Sequence, residues 1–336
     1  MRVLVTGAHG FVGGHLLELL RGEHPEVQAF ALVRPRGGAP VPRPGGATIL
    51  EADIDDAAAV SAALATARPD RIVHLAGQSS VHHSWIDPGA TLRTNVMGVV
   101  HLMEGLRAAA LRPRVLVVGS ADEYGIVDNP GVPVAEDTPL RPVSPYAVSK
   151  VAQGQLALEY AVPGGPEVLR TRTFPHTGPG RGEAFAESSF ARQLVEVAAG
   201  RRPPVLSVGN LDAVRDFTDV RDVVRAYWLL LERGPHGVAR PETVFNVCSG
   251  RGVRVGDVLR RLIDLAGVQV EVRQDPSRFR PSDIPVLIGD NRRLRAATGW
   301  EPRIGLDQTL RDLLEDWRER TAGAPGTADA AGSVRR

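Results

Sequence analysis

The sequence predicts an α/β protein with a doubly wound parallel sheet and a smaller C-terminal α/β subdomain. Three observations support this fold class. Short apolar runs rich in β-branched residues alternate five times with helical spacing between Arg2 and Ser120. The first run leads through a glycine-rich turn into a helix. From Thr173 onward the helices and strands become less regular, and no internal repeat is visible.

These patterns divide the chain into three segments. We expect residues 1–172 to form the sheet domain and residues 173–320 to form the smaller subdomain, partly interleaved with the sheet. Residues 321–336 contain mainly Ala, Gly, Thr and Ser with little apolar content, so we expect a disordered tail.

Composition argues against several classes of function. The 336-residue chain carries 40 Lys and Arg against 39 Asp and Glu, a net charge of +1, so no overall field would attract nucleic acid or an anionic membrane. The single cysteine, Cys248, cannot form an internal disulfide. No apolar run is long enough to span a bilayer, and the N-terminus begins with a strand rather than a signal peptide. We expect a soluble cytoplasmic protein without a metal site.

The first strand, Arg2 to Thr6, enters the glycine-rich segment 7–14 before helical spacing begins. Glycines there allow a tight turn, and the helix N-terminus offers free N–H groups to a pyrophosphate. The spacing Gly-x-x-Gly-x-x-Gly is one residue longer at its start than the form usual in dinucleotide-binding dehydrogenases. Placed directly after the first strand, it predicts a dinucleotide site of the Rossmann type. The residues expected beside the cofactor are Gly7, Gly10, Phe11, Val12 and Gly13.

The second strand, Val27 to Val33, indicates which dinucleotide is bound. It ends at Arg34, where NAD-selective folds carry an acidic residue for the adenosine ribose. An arginine there favours a ribose 2′-phosphate, so we expect NADP(H), with NAD(H) as the alternative cofactor. Arginine is also this chain's general surface cation, and the competing interpretation of Arg34 is a solvated loop.

Two further strand ends complete the predicted cofactor site. The third strand, Ala47 to Ala52, places Asp53 and Ile54 near the adenine, although Asp53 could equally cap the helix that follows. The fourth strand, Arg71 to Gly77, ends in small residues that would let the cofactor pass close by, and Leu75 and Ala76 are expected beside the cofactor.

A fifth strand begins at Arg114 and stops at Ser120, after a long helix predicted over Thr91 to Leu111. Ligands of open parallel sheets bind outside the carboxyl ends of the strands, so Ser120 should share an edge with the glycine loop. The remaining elements are predicted as strands over 167–172, 205–208 and 244–247 and as helices over 185–199, 219–231, 255–265 and 306–317.

Tyr146 and Lys150 stand four residues apart, which places the phenol and the ammonium on one face of a helix. Lys150 is the only lysine among the 40 Lys and Arg residues. Such a pair also occurs by chance on surface helices, but here Ser120 and the glycine loop are predicted at the same edge. Together they suggest hydride transfer: Tyr146 exchanges a proton with a carbonyl or alcohol oxygen, and Ser120 hydrogen-bonds that oxygen. Lys150 would lower the pKa of the phenol and hold the nicotinamide ribose.

These motifs resemble the extended short-chain dehydrogenase/reductase family that acts on nucleotide-sugars, from Met1 to about Trp317. Within it the similarity is greatest to the reductases of GDP-linked 4-keto-6-deoxy sugars, then to the GDP-mannose 4,6-dehydratases. The resemblance implies a GDP-sugar substrate, with Arg215 and Arg280 on its diphosphate, Asn210 on the nucleotide and Asp283 on its ribose. It also implies a substrate contact at Ser79, in the segment Ser79-Ser80-Val81.

Two positions bear on the type of reaction. Dehydratases of this family need an acidic residue after the catalytic hydroxyl, and some carry two. Here Ala121 can supply no proton, whereas Asp122 could act as a base. The case for a dehydratase is therefore weakened, but this activity stays an alternative. Pro175 replaces the asparagine of the family's Phe-Asn-His stretch, which removes an amide side chain and a backbone donor.

The expected function is therefore NADPH-dependent reduction of the C4 ketone of a GDP-linked 4-keto-6-deoxy sugar, of the GDP-4-keto-6-deoxy-D-mannose to GDP-D-rhamnose type. Alternatives are a GDP-mannose 4,6-dehydratase, a nucleotide-sugar 4-epimerase, or a non-catalytic protein that senses dinucleotides. The intact set of Ser120, Tyr146 and Lys150 argues against the last. The apolar helix from Leu92 to Leu111 could form half of a dimer interface or pack on its own sheet, and we expect a homodimer.

Overall fold

Parallel strands form the central layer of the protein, whose computed structural model describes residues 1–35, 46–237, 243–279 and 284–323. The strands are β1 Arg2–Thr6, β2 Gln28–Val33, β3 Thr48–Glu51, β4 Arg71–His74, β5 Arg114–Ser120, β6 Glu167–Thr173, β7 His176–Thr177, β8 Val205–Val208, β9 Val214–Asp216, β10 Thr218–Asp219, β11 Val244–Val247, β12 Gly252–Arg254, β13 Glu271–Gln274 and β14 Val286–Leu287. Seven of them join in the order β11-β6-β5-β4-β1-β2-β3, and every pair in this sheet is parallel.

Helices cover both faces of the sheet, as a doubly wound fold requires. The helices are α1 Phe11–Glu23, α2 Ala57–Ala67, α3 Val81–Ile86, α4 Pro88–Leu92, α5 Gly98–Ala108, α6 Pro145–Glu159, α7 Ala186–Ala198, α8 Val220–Arg233, α9 Val255–Ala266, α10 Arg292–Thr298 and α11 Leu306–Gly323. One apolar core lies between the sheet, α1 and α8, and a second lies between the sheet, α2, α5 and α6. The predicted fold class is confirmed.

The chain after β6 contributes both to the large sheet and to a smaller unit. Strand β11 pairs with β6 at the edge of the large sheet, and α8 packs against α1. Helix α10 packs against α8 and β11, whereas α7, α9 and α11 form a smaller unit that encloses an apolar core with β8. Helix α11 continues to Gly323, into the segment predicted as a tail from Thr321. The domain boundary after residue 172 stays a prediction.

The helix predicted as continuous from Thr91 to Leu111 is interrupted. Residues Arg93–Met97 form a π-helical turn between α4 and α5, and the buried side chain of Asn95 lies within it. Asn95 bonds to Gln78 and Ser149, on neighbouring segments of the same chain, and this requirement explains the widened turn. Among the described residues, no helix is long and apolar enough to cross a membrane.

Candidate active site

A cavity of about 870 Å³ opens at the carboxyl ends of β1, β4, β5 and β6, between the sheet and the smaller unit. The strand order reverses between β1 and β4, which is where open α/β sheets leave a crevice for a ligand. Its walls bring together residues that are far apart in the sequence, including the glycine loop, Ser120, Tyr146 and Arg215.

The glycine loop has the shape of a phosphate cradle. Gly7 has a φ of +65°, and a Cβ on it would lie 2.8 Å from the backbone nitrogen of Ala76. A Cβ on Gly13 would lie 2.6 Å from the carbonyl oxygen of Gly7. Helix α1 is capped by Gly10, which has no side chain to bond the first N–H groups of the helix. The backbone is thus close to the cavity and has donors for an anion.

The predicted cofactor residues divide into two groups. The glycine loop, Phe11, Val12, Arg34, Leu75 and Ala76 line the cavity. Asp53 and Ile54 are outside the described lining: Asp53 Oδ2 lies 3.0 Å from Arg34 Nε, and Ile54 is a core residue packed against Gly98. The roles proposed for Asp53 and Ile54 at the adenine stay predictions.

The three predicted catalytic side chains meet at the cavity. Ser120 is the last residue of β5, while Tyr146 and Lys150 lie on the first turns of α6, which begins with an N-cap at Ser144. The Ser144 hydroxyl accepts a hydrogen bond from the backbone N–H of Ala147. This cap fixes the start of the helix and therefore the direction of Tyr146.

Burial governs the ionisation of the pair on α6. Burial raises the pKa of the Tyr146 phenol, and the nearby Asp122 carboxylate raises it further, whereas hydrogen bonding with Ser120 lowers it. Burial lowers the pKa of Lys150 to about 8, against the opposing effect of Glu123. The Lys150 ammonium donates to the carbonyl oxygen of Val118 at 3.1 Å and to Gln153 Oε1 at 2.9 Å. The predicted effect of Lys150 on the phenol stays a prediction.

A buried cation and an imidazole lie opposite the catalytic side chains. The Arg181 guanidinium stacks 3.3 Å above the Phe185 ring and 5.0 Å from the Phe11 ring, and Phe11 in turn stacks on His176 at 6.0 Å. His176 Nδ1 donates to the carbonyl oxygen of Phe174. Burial first, and Arg181 second, lower the pKa of His176 to about 3, so the imidazole is neutral at physiological pH. All of these rings line the cavity.

The structure describes three of the five residues predicted to contact the substrate. Ser79, Asn210 and Arg215 line the same cavity, the last two from the smaller unit. Arg280 and Asp283 lie outside the described residues. Pro175 also lines the cavity, and its carbonyl oxygen accepts from the backbone N–H of Thr218.

Sequence reasoning missed several residues that shape the site. Glu123 accepts from the backbone N–H of Ser120, and the Ser-x-x-Glu spacing of a capping box could have revealed it. Asn95 bonds both the N–H and the carbonyl oxygen of Gln78, and also the Ser149 hydroxyl. Arg181 carries no local signal, because arginine is common throughout this chain.

A dinucleotide cradle beside a phenol, closed over by a second α/β unit, is the arrangement of the extended short-chain dehydrogenases/reductases. This protein is an NAD(P)-dependent nucleotide-sugar oxidoreductase of that class. Within the class, the chain belongs to the GDP-mannose 4,6-dehydratase family, whose sequence pattern matches residues 4–313 of this protein. The family predicted by resemblance is thereby confirmed.

Particular relatives extend over almost the whole chain. GDP-6-deoxy-D-mannose reductase of Pseudomonas aeruginosa is 37% identical over 320 residues, which cover 95% of this chain and 98% of the relative. The structure of RMD from Pseudomonas aeruginosa complexed with NADPH has a TM-score of 0.82 at 35% identity, covering 95% of this chain and 100% of that one. UDP-glucose 4-epimerase of Thermus thermophilus in complex with NAD has a TM-score of 0.81 at 29% identity, covering 95% of this chain and 99% of that one.

Proposed function

We propose that this protein reduces the C4 ketone of a GDP-linked 4-keto-6-deoxy sugar, using NADPH. The observation that carries the proposal is the meeting of Ser120, Tyr146 and Lys150 with the glycine loop at one cavity. The full-length similarity to a GDP-6-deoxy-D-mannose reductase supports the choice of substrate. The product would be of the GDP-D-rhamnose type.

The residues at the cavity fit a dinucleotide. Side chains at Gly7 and Gly13 would collide with the backbone, so glycines let the loop pack tightly while it lines the cavity, and the N-terminus of α1 could accept a pyrophosphate there. Arg34 stands where it would meet a ribose 2′-phosphate, and a relative's structure contains NADPH. Another relative's structure contains NAD, which remains the alternative cofactor. When bound, NADPH supplies the hydride for C4.

Tyr146 would donate the proton that the carbonyl oxygen gains as the hydride reaches C4. Because burial raises its pKa, the phenol is protonated at neutral pH and can act as the acid. The Ser120 hydroxyl would hydrogen-bond the same oxygen. Two of the three Lys150 donors are taken by Val118 and Gln153, which leaves one for the ribose of the cofactor.

The GDP moiety would lie across the smaller unit. We propose that Arg215 binds the diphosphate, with Asn210 and Ser79 as further contacts, since all three line the cavity. The roles of Arg280 at the diphosphate and Asp283 at the ribose come from the family resemblance.

A 4,6-dehydratase is the second candidate, and one observation favours it: the Asp122 carboxylate lines the cavity near Tyr146 and raises the pKa of that phenol. A carboxylate in this position could remove a sugar C5 proton. Ala121 is buried and offers no second acid. The reductase is therefore preferred, with Asp122 as a catalytic residue only in the dehydratase.

The two candidates differ in what they need from solution. A reductase consumes added NADPH when given the 4-keto-6-deoxy GDP-sugar and leaves GDP-mannose unchanged. We expect this result from absorbance at 340 nm together with chromatography of the sugar nucleotides. A 4-keto product formed from GDP-mannose without added NADPH would overturn the reductase assignment. Thermal stabilisation by UDP or dTDP but not GDP would overturn the nucleotide.

We also propose that two copies form a homodimer. Apolar side chains are exposed on elements that pack against one another around α6: Trp85, Ile86, Leu92, Met97 and Val148. Light scattering after gel filtration should give the dimer mass, and Leu92→Arg with Met97→Arg should give the monomer. A monomeric wild type would refute this. The cytoplasm is the proposed location, because it supplies NADPH and nucleotide-sugars.

A further inference from the structure

Glu123 is a buried carboxylate that the mechanism above does not use. Its Oε1 accepts a hydrogen bond from the backbone N–H of Ser120 at 2.9 Å, and the Ser120 hydroxyl accepts from the backbone N–H of Asp122 at 3.2 Å. A Cβ on Gly119 would overlap the Glu123 carboxylate, so the chain needs a glycine there. Glu123 therefore fixes the backbone that carries the Ser120 hydroxyl.

A buried cation holds the other oxygen of this carboxylate. Arg172 Nε lies 3.2 Å from Glu123 Oε2, and the two side chains are only 6% and 8% exposed. Burial raises the pKa of Glu123, whereas Arg172 and the Ser120 N–H oppose the rise. Both oxygens of the Glu123 carboxylate accept from N–H donors, and one of these donors is cationic. This geometry therefore stabilises the ionised form of Glu123.

A second cavity, of about 10 Å³, separates Glu123 from Lys150. Its polar walls also include Gln153, Arg170 and Thr171. Gln153 Nε2 and Arg170 Nε are buried without a hydrogen-bond partner among the described residues. A polar cavity of about 10–15 Å³ accommodates one water molecule, which requires two to four polar partners. Two unpaired donors and one carboxylate meet that requirement.

We propose that Glu123 is a positioning residue for both ends of the catalytic set: it holds Ser120 in place and, through one water molecule in the second cavity, keeps Lys150 an ammonium. The water accepts from Gln153 and Arg170 and donates to Glu123. The importance of this arrangement for turnover rests on the proposed function, whereas the ionisation of Lys150 can be measured independently of any substrate.

The charged and titratable groups around Lys150 come from four elements. Glu123 follows β5, His74 lies on β4, Arg170 lies on β6, and Tyr146 lies on α6 itself. Burial lowers the pKa of His74 to about 3, so the imidazole is neutral. Burial is the main cause of the lowered pKa of Lys150, and Glu123 is the group that opposes it. Loss of the Glu123 charge should therefore lower that pKa further.

The single lysine makes the test direct. Protein labelled with ¹³C,¹⁵N-lysine and free of lysine in its tag gives one lysine side-chain NMR signal, which reports the protonation of Lys150. We expect a wild-type midpoint near pH 8. Glu123→Gln keeps the acceptor for Ser120 but removes the charge, and should lower the midpoint by about one pH unit or more. An unchanged midpoint would overturn the proposal.

Glu136→Gln is the matched control. Glu136 is equally buried, lies 3.5 Å from Arg293 and accepts from the backbone N–H of Asn246, yet it is outside the walls of the second cavity. Its loss should leave the Lys150 midpoint at the wild-type value. If both variants lowered the midpoint equally, the effect would be unspecific and the proposal would fail.

A second variant covers the case in which Glu123→Gln does not fold. Replacing the whole ion pair, Glu123→Gln with Arg172→Met, leaves no unpaired buried charge and is tolerated far better than breaking the pair. The midpoint should fall by less than in Glu123→Gln alone, because the loss of the Arg172 cation acts in the opposite direction; a fall supports the proposal, and a wild-type midpoint refutes it. A high-resolution crystal structure should show one water in the second cavity, and an empty cavity would refute its part in the proposal.

Discussion

Arg34 Nε lies 3.0 Å from Asp53 Oδ2, so a residue predicted for the 2′-phosphate faces one predicted for the adenine. The Arg34 side chain is 63% exposed and that of Asp53 is 37% exposed, and such surface pairs contribute only about 0.2–1 kcal/mol. A phosphate dianion can therefore displace the carboxylate at little cost. Asp53 pairs with a guanidinium that lines the cavity, while Asp53 itself is outside the described lining.

The first prediction concerns the choice of cofactor. Arg34→Ala should weaken NADPH binding about 10- to 100-fold, because a hydrogen bond to a charged group contributes about 1.5–3 kcal/mol. NADH binding should change by less than about threefold, since NADH lacks the phosphate. Fluorescence titration of both cofactors provides the measurement. Equal weakening of NADPH and NADH would show that Arg34 does not read the 2′-phosphate.

A different pattern is expected for Arg181, another cationic residue of the cavity. Arg181→Gln should weaken NADPH and NADH to a similar extent, because the guanidinium stacks on Phe11, beside the pyrophosphate cradle, rather than near Arg34. Arg192→Gln is the control, since Arg192 is outside the described cavity lining; it pairs with Glu196, which is also outside it, and with Glu183 at the rim. A selective loss of NADPH in Arg181→Gln would contradict this placement.

Several elements of the fold could be predicted from the sequence, for a physical reason. Strands buried on both faces appear as short apolar runs, so β1 and β11 were predicted with the bounds observed, and α6 followed from its Tyr/Lys pair. Local patterns do not encode which strands become neighbours. The pairing of β11 with β6 therefore could not be read from the chain.

Site residues that belong to a local sequence pattern could be predicted, whereas those whose role depends on tertiary contacts could not. Ser120, Tyr146 and the glycine loop follow strand ends and helix starts, and they line one cavity as expected. Asn95 lies in a segment that has ordinary helical spacing, and its role appears only when Gln78 and Ser149 pack against it. Arg181 is one of many arginines, and its place in the site appears only when it stacks on Phe11 and Phe185.

Asn95 provides a prediction about stability. Asn95→Ala removes three hydrogen bonds, a buried one to the Ser149 hydroxyl and partly buried ones to the N–H and carbonyl oxygen of Gln78. Each unsatisfied buried group costs about 1–3 kcal/mol, so a clear fall in the unfolding free energy is expected by urea denaturation. Thr94→Ala is the matched control, because Thr94 makes a single, partly buried bond to Asp55. Equal losses in the two variants would contradict the role of Asn95.

Tyr146→Phe tests the proton donor. The variant keeps the ring that fills the buried position but cannot protonate the carbonyl oxygen, so kcat should fall about 10²- to 10⁴-fold. NADPH affinity, measured by fluorescence, should stay within about threefold of wild type, because the phenol acts on the substrate oxygen. Turnover of a verified substrate at the wild-type rate would refute Tyr146 as the proton donor.

The pH dependence follows from the two groups on α6 and has opposite effects on activity and stability. The pKa of Tyr146 is raised, so the phenol stays protonated across the assay range, while Lys150, with a pKa of about 8, loses its charge first. We expect kcat/KM for NADPH to fall as the pH rises past about 8, since that constant reports the free enzyme.

Stability should respond to pH in the other direction. Between about 8 and the ordinary lysine value of 10.5, the unfolded chain binds a proton at this residue that the folded chain has lost, so this group's contribution to the unfolding free energy increases with pH. Lys150→Met should abolish the stability increase in that window, which urea denaturation at pH 8 and 10 would measure. Persistence of the full increase in Lys150→Met would assign it to another group.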